Sequence, residues 1–115
     1  MLRIGGAQTS RRKASNELRA KIFNTLSDPA TLRVLEALFE GEAPTDKIAK
    51  AVGMEDTVAA SHLGKLREGR LATVRRVGAY SYYRVPDVPS VDKILASVDD
   101  MLMKIEEMRR RGIEV

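Results

Sequence analysis

The chain contains no cysteine and no tryptophan, a single histidine, and only three tyrosines and two phenylalanines. Without a thiol there can be no disulfide framework, no thiolate metal site and no cysteine redox switch. One imidazole cannot assemble the common zinc sites, so no metal and no cofactor is expected. No apolar run approaches the roughly 20 residues that cross a bilayer, and the first residues lack the apolar stretch of a secretion signal. A soluble, cytoplasmic protein without a membrane partner is expected. Nor does the chain offer a nucleophile beside a base, a carboxylate dyad or a phosphate loop, so catalysis is not expected.

What is present is basic and modest in size. With 115 residues, 43% of them apolar, the chain can bury one small core, and its stability is expected to lean on association as a homodimer. Lys and Arg number 20 against 16 acidic residues, a formal charge of +4. The excess is concentrated: between Lys47 and Arg84 stand eight basic side chains against Glu55, Asp56 and Glu68, the footprint of a polyanionic partner.

Periodicity divides the chain into three parts. Residues 1–15, with Gly5-Gly6 and the run Arg11-Arg12-Lys13, lack apolar periodicity and read as a flexible basic arm, either a solvated tail or a contact to DNA backbone. Residues 16–89 read as a DNA-binding domain and 90–112 as a dimerisation helix. The first helix is expected to start at Ser15 or Asn16, with the apolar stripe Leu18, Ile22, Phe23 and Leu26. Asp28-Pro29 starts a second helix carrying Leu32, Leu35, Leu38 and Phe39 and ending at Gly41. Thr45 is expected to cap a short helix, Asp46 to Val52, and Gly53 makes the turn into a helix over about 56–68 that buries Ala59, Leu63 and Leu66. Gly64 inside that helix implies a close approach to its backbone, by a packed neighbouring helix first and by a phosphate second.

From Ala72 to Val77 and from Tyr80 to Val85 the pattern turns β-branched and aromatic around Gly78-Ala79, which predicts a hairpin whose Ser81, Tyr83 and Val85 face meets the core. Pro86 and Pro89 close the domain, and Ser90 is expected to cap a last helix with Val91, Ile94, Val98, Met101, Ile105 and Met108 at steps of three and four. That seam, widened by Leu95 and Leu102, is longer than so small a core requires. The expected fold is therefore mainly α with a small β-hairpin, a winged helix-turn-helix in the order α-α-α-α-β-β-α.

This layout assigns roles. Lys47, Lys50, Lys65, Arg67, Arg75, Arg76, Tyr82 and Arg84 are expected contacts to double-stranded DNA, those of the wing over 72–85 to backbone or minor groove, and Thr57 and Ser61 the expected contacts to base edges. Leu18, Ile22, Ile94, Val98, Met101, Leu102, Ile105 and Met108 are the expected dimer seam. His62 reads either as a packed or capping side chain or as a DNA contact. Asp99, Asp100, Glu106 and Glu107 read as a solvated helix face rather than an oxygen-ligand cation site, and Tyr80, Tyr82 and Tyr83 as packing and phosphate-contacting groups rather than a single-strand stacking platform. A low-specificity, chromatin-like DNA binder is the alternative, favoured by Ala59 and Ala60 on the helix meant to read bases.

Leu26-Ser27-Asp28-Pro29, Leu32-Arg33-Val34-Leu35, Gly53, His62-Leu63, Leu66-Arg67-Glu68 and Tyr82-Tyr83-Arg84-Val85 together resemble the ArsR/SmtB-type winged-helix repressors over about residues 18–110. The resemblance implies a dimer joined through the first and last helices, a recognition helix in the major groove, flanking wings and repression of transcription. The family's metal-sensing branches carry Cys pairs on the first helix of the recognition motif or His and acidic ligands on the last helix. Here Ala49 and Lys50 occupy the former region and the last helix has no His, so a thiolate sensor of arsenic, cadmium or persulfide is excluded. Where many members have Val-Ser, this chain has Ala59-Ala60, and neither base preference nor inducer follows from the resemblance.

Overall fold

In the computed structural model the backbone is described from Gly6 to Val115 and the side chains from Ser15 onward. The elements are α1 (Gly6–Thr25), α2 (Pro29–Ala37), β1 (Ala43–Pro44), α3 (Thr45–Val52), α4 (Asp56–Glu68), β2 (Thr73–Val77), β3 (Tyr80–Arg84) and α5 (Val88–Arg110). The expected arm over 1–15 lies largely outside the described side chains. The described backbone is already helical at Gly6, so Ser15 and Asn16 lie within α1 and cap nothing. Ala, Gln, Arg and Lys upstream are good helix formers and give the chain no reason to stop there.

Asp28 opens α2 as expected: its backbone is extended, its Oδ1 accepts the Ala30 N–H at 2.9 Å, and Pro29 takes the first turn. The helix ends at Ala37 rather than running to Gly41, with Leu38 as C-cap. Thr45 is the first residue of α3 and not its cap, since Pro44 holds that position without a side-chain hydrogen bond. Gly53 closes α3 in the left-handed region at φ 68°, its N–H bonded to the Ala49 and Lys50 carbonyls. At the start of α5 the cap is Asp87, whose side chain accepts the Ser90 N–H at 3.1 Å, so Ser90 donates rather than caps and Pro89 sits in the first helical turn. Hydrogen bonding from Ser90, its side chain first and its N–H second, holds the Asp87 carboxyl below the usual carboxylate range.

The sheet has three antiparallel strands in the order β1-β3-β2, one more than the expected hairpin. Residues Ala43 and Pro44 pair with Tyr83 and Tyr82. Proline is tolerated there because β1 is an edge strand with no further neighbour to receive an N–H. This strand places the segment entering α3 directly against the hairpin.

The core joins Val34, Leu35 and Leu38 of α2 and its cap to Ile48, Leu63, Leu66, Leu71, Ala72, Tyr83, Val85 and Val91. Thus the Tyr83 and Val85 face of the hairpin is the buried one. Ala59 is buried as well. Of α5 only Val91, in its first turns, is buried. Among the described residues no helix is long and apolar enough to cross a membrane.

The link from α4 to β2 uses glycine for space rather than for backbone freedom. Gly69 has ordinary angles (φ −78°, ψ 4°), whereas Arg70 takes the left-handed conformation at φ 66°. A Cβ on Gly69 would lie 2.2 Å from Thr25 Oγ1 and 2.8 Å from Thr25 Cβ, at the end of α1. Steric demand therefore wins the glycine, and Arg70 bears the unfavourable φ. Gly69→Ala is expected to destabilise the fold by about 1–3 kcal/mol, read by denaturant melting, and Thr25→Ala should recover part of that loss. An unchanged midpoint for Gly69→Ala would show that α1 does not press on this turn.

Candidate nucleic-acid interface

The short α3, the Gly53 turn and α4 form a helix-turn-helix. Ala59, Leu63 and Leu66 of α4 face the core, and the spacing then turns Thr57, Ser61, Gly64 and Glu68 outward along one stripe. Thr57 and Ser61 are both exposed, as is Ala60. The first half of α4 and the hairpin tip enclose a concave space of about 530 Å³ lined by Thr45, Asp46, Asp56, Thr57, Ala60, Ala79, Tyr80 and Ser81. Asp46 and Asp56 were missed by sequence reasoning as members of this surface. Each sits in the first turn of its helix, where a carboxylate suits the positive end of the helix dipole, and nothing in the one-dimensional pattern says that both turns open onto one concavity.

Gly64 is not explained by packing. A Cβ there would meet no atom within 4 Å among the described residues, so none of the described helices makes the expected close approach. Gly64→Ala should raise thermal stability by about 1 kcal/mol, and a lower melting temperature would reveal a contact that the open surroundings deny.

The cations divide into paired and unpaired sets. Among the described residues Lys47, Lys50, Arg67 and Arg84 are exposed and outside the recorded ion pairs. Lys65 Nζ lies 3.8 Å from Asp28 Oδ2. Arg75 forms a two-pronged bridge to Glu42, with Nη2 at 2.7 Å and Nε at 3.2 Å from the carboxylate oxygens. Its guanidinium also stands 5.0 Å over the centre of the Tyr82 ring. Donation from Arg75 holds the Glu42 carboxyl below its ordinary range, helped by the charges of Arg75 and Arg84. The bridge therefore persists through neutral pH and is lost only as the pH falls through that lowered value. Arg76 instead donates to Ser81 Oγ at 2.9 Å.

Register explains this difference. Arg75 is opposite Tyr82 and Arg76 opposite Ser81, and successive strand residues point to opposite faces. The two arginines, read together from the sequence, thus lie on different sides of the wing. Ser81 shares its face with the buried Tyr83 and, with Tyr80 at the tip, lines the concavity beside α4, whereas Tyr82 lies beneath Arg75.

His62 takes the packed role. Its Nδ1 is 2.8 Å from the hydroxyl of Thr31, a fully buried residue on α2, and 3.8 Å from Asp28 Oδ2. Asp28 therefore caps α2 with one oxygen and faces His62 and Lys65 with the other. Arg33 donates to the Val52 carbonyl and ties α2 to the end of α3. Neither link is visible in the sequence, because both span helices separated by turns.

Away from this surface, Leu18, Val98, Met101, Leu102, Ile105 and Met108 are exposed, while Ile22 and Ile94 are half-buried. Phe23, read as part of the apolar stripe of α1, is 61% exposed. It joins Leu26, Leu32, Ile94, Leu95 and Val98 in a groove of about 350 Å³ rimmed by Glu36 and Asp99. An apolar band this extensive on α1 and α5 exceeds the scatter of single exposed side chains.

No protein-family model matches the chain. It is 32% identical over 104 residues to the uncharacterized HTH-type transcriptional regulator Rv0081 of Mycobacterium tuberculosis, a match covering 84% of this chain and 91% of the relative. A homodimeric winged helix-turn-helix DNA-binding domain from Mycobacterium bovis, a possible ArsR-family transcriptional regulator, superposes with a TM-score of 0.70 at 30% identity, over 87% of this chain and 91% of that one. The chain belongs to the ArsR/SmtB-type winged-helix transcriptional regulators. Within that family it is 35% identical over 68 residues, 59% of this chain, to a transcriptional repressor SmtB homolog of Synechocystis. This ArsR/SmtB-type chain spans 52% of the length of the Synechocystis relative and 34% of that of the M. tuberculosis regulator Rv0324.

Proposed function

We propose that this ArsR/SmtB-type chain is a homodimeric, sequence-specific, double-stranded DNA-binding transcriptional repressor acting in the cytoplasm, a binding protein rather than a catalyst. In this reading α4 enters the major groove, Thr57 and Ser61 meet base edges, and Lys47, Lys50, Lys65, Arg67 and Arg84 neutralise phosphates. Residues 16–89 form the DNA-binding unit, and 90–112 carry the dimer seam through Val98, Met101, Leu102, Ile105 and Met108, joined by Leu18, Ile22 and Ile94. The observation that carries the reading is the outward stripe of α4 beside a wing, flanked by Lys47, Lys50, Arg67 and Arg84, which have no acidic partner among the described residues. Repression is the activity of the Synechocystis relative.

Selection from a random duplex pool with the purified protein tests this. An enriched inverted repeat with half-sites about one helical turn apart is expected. Binding without enrichment would replace specific regulation by general DNA coating, and no duplex binding at all would remove the proposal.

A further inference from the structure

The bridge between Glu42 and Arg75 spans the sheet from its β1 edge to β2 by way of side chains outside the core. Glu42 immediately precedes β1, the strand that runs into α3, while Arg75 is in the middle of β2 at the far side of the sheet. Because Ala43 is opposite Tyr83, Glu42 continues the β1 edge beside Arg84 and reaches over Tyr82 to Arg75. All three strands are thus crossed by one cluster: carboxylate, ring and guanidinium. A two-pronged Arg–carboxylate pair fixes orientation as well as distance, and stacking on the ring removes a further freedom of the guanidinium.

We propose that Arg75 is a positioning residue which, bridged to Glu42 and stacked on Tyr82, sets the angle of the wing relative to the helix-turn-helix, and that Arg76 is the wing cation that meets DNA. To reach a phosphate Arg75 would have to leave a carboxylate and a ring that hold it already, and its charge is cancelled locally by Glu42. Arg76 gives up one N–H to the neutral Ser81 hydroxyl and, among the described residues, is in no ion pair, while Ser81 lines the concavity beside α4. The bridge joins the wing to the segment that starts α3, so breaking it loosens the wing against the recognition motif without removing a DNA contact.

This rests on the DNA-binding reading, and the test separates the two. Affinity for a selected duplex is measured across salt concentrations for wild type, Arg75→Ala, Glu42→Ala, their combination, Arg76→Ala, and the exchanged pair Glu42→Arg with Arg75→Glu. Arg76→Ala should flatten the salt slope by about 0.9, one phosphate contact. Arg75→Ala and Glu42→Ala should each weaken binding by about two- to fivefold at an unchanged slope, the combination no more than either, and the exchanged pair should restore affinity to within about twofold. A flatter slope for Arg75→Ala, tighter binding by Glu42→Ala, or a folded exchanged pair that fails to recover would overturn the assignment. Amide hydrogen exchange of the DNA-free protein gives the second readout: Glu42→Ala should speed exchange at Val74 to Tyr83 by several-fold, and an unchanged pattern refutes the clamp. If wild type binds no duplex, the repressor reading falls and the exchange data alone decide whether the bridge holds the wing.

Discussion

Glutamates at Val98 and Ile105 are expected to leave a folded monomer that no longer holds its operator. Both side chains are substantially exposed in the single chain, 41% and 38% respectively, so the substitutions remove little from the core, to which α5 contributes only Val91 as a buried residue. In a symmetric dimer each change appears twice, and an ionised carboxylate set into an apolar seam without a partner costs about 3–5 kcal/mol. The dimer should weaken by at least about a hundredfold. Operator affinity should fall with it, because one recognition helix reads only one half-site. Sedimentation and anisotropy on the same sample check the two losses together. A double variant that remains dimeric with full affinity would move the interface away from α5.

The second large effect concerns which bases are read. Thr57→Ala and Ser61→Ala should each relax preference at discrete base pairs by about 1–3 kcal/mol, leaving the salt slope unchanged because no phosphate contact is lost. Competition among single-base operator variants measures this. A uniform loss over all sequences would make the two hydroxyls backbone contacts instead. Burial sharpens the expectation: of the two alanines that argue for weak specificity, Ala59 is in the core and Ala60 alone is offered outward.

Those elements whose residues carry both a pattern and a punctuation mark were legible in the sequence. The Asp28-Pro29 start, the Gly53 turn, the bounds of α4 and the hairpin around Gly78 follow from capping, left-handed glycine and period. Where two candidates could do the same job, local rules chose poorly. Asp87 rather than Ser90 caps α5 because the helix already begins at Val88 and the Asp87 carboxylate accepts the Ser90 N–H of its first turn. Two-residue β1 is too short for any period to register. The polar helix before Ser15 has no apolar stripe to announce it. In the candidate site, exposure along α4 followed from its core spacing, but the opposite faces of Arg75 and Arg76 required strand register, and the partners of Arg75, His62 and Arg33 required tertiary structure. Adjacent charges in a strand are separated by the thickness of a sheet, which composition counts cannot register.

The shallow rooting of α5 has a consequence for gene control. Most of that helix beyond its first turns finds no buried place in its own chain, so the stability of the helix and the pairing of two copies are linked by mass action. Below the pairing constant, the concentration of competent repressor grows as the square of the monomer concentration. In the proposed homodimeric repressor, operator occupancy is then expected to respond steeply to dilution at cell growth and to changes in synthesis.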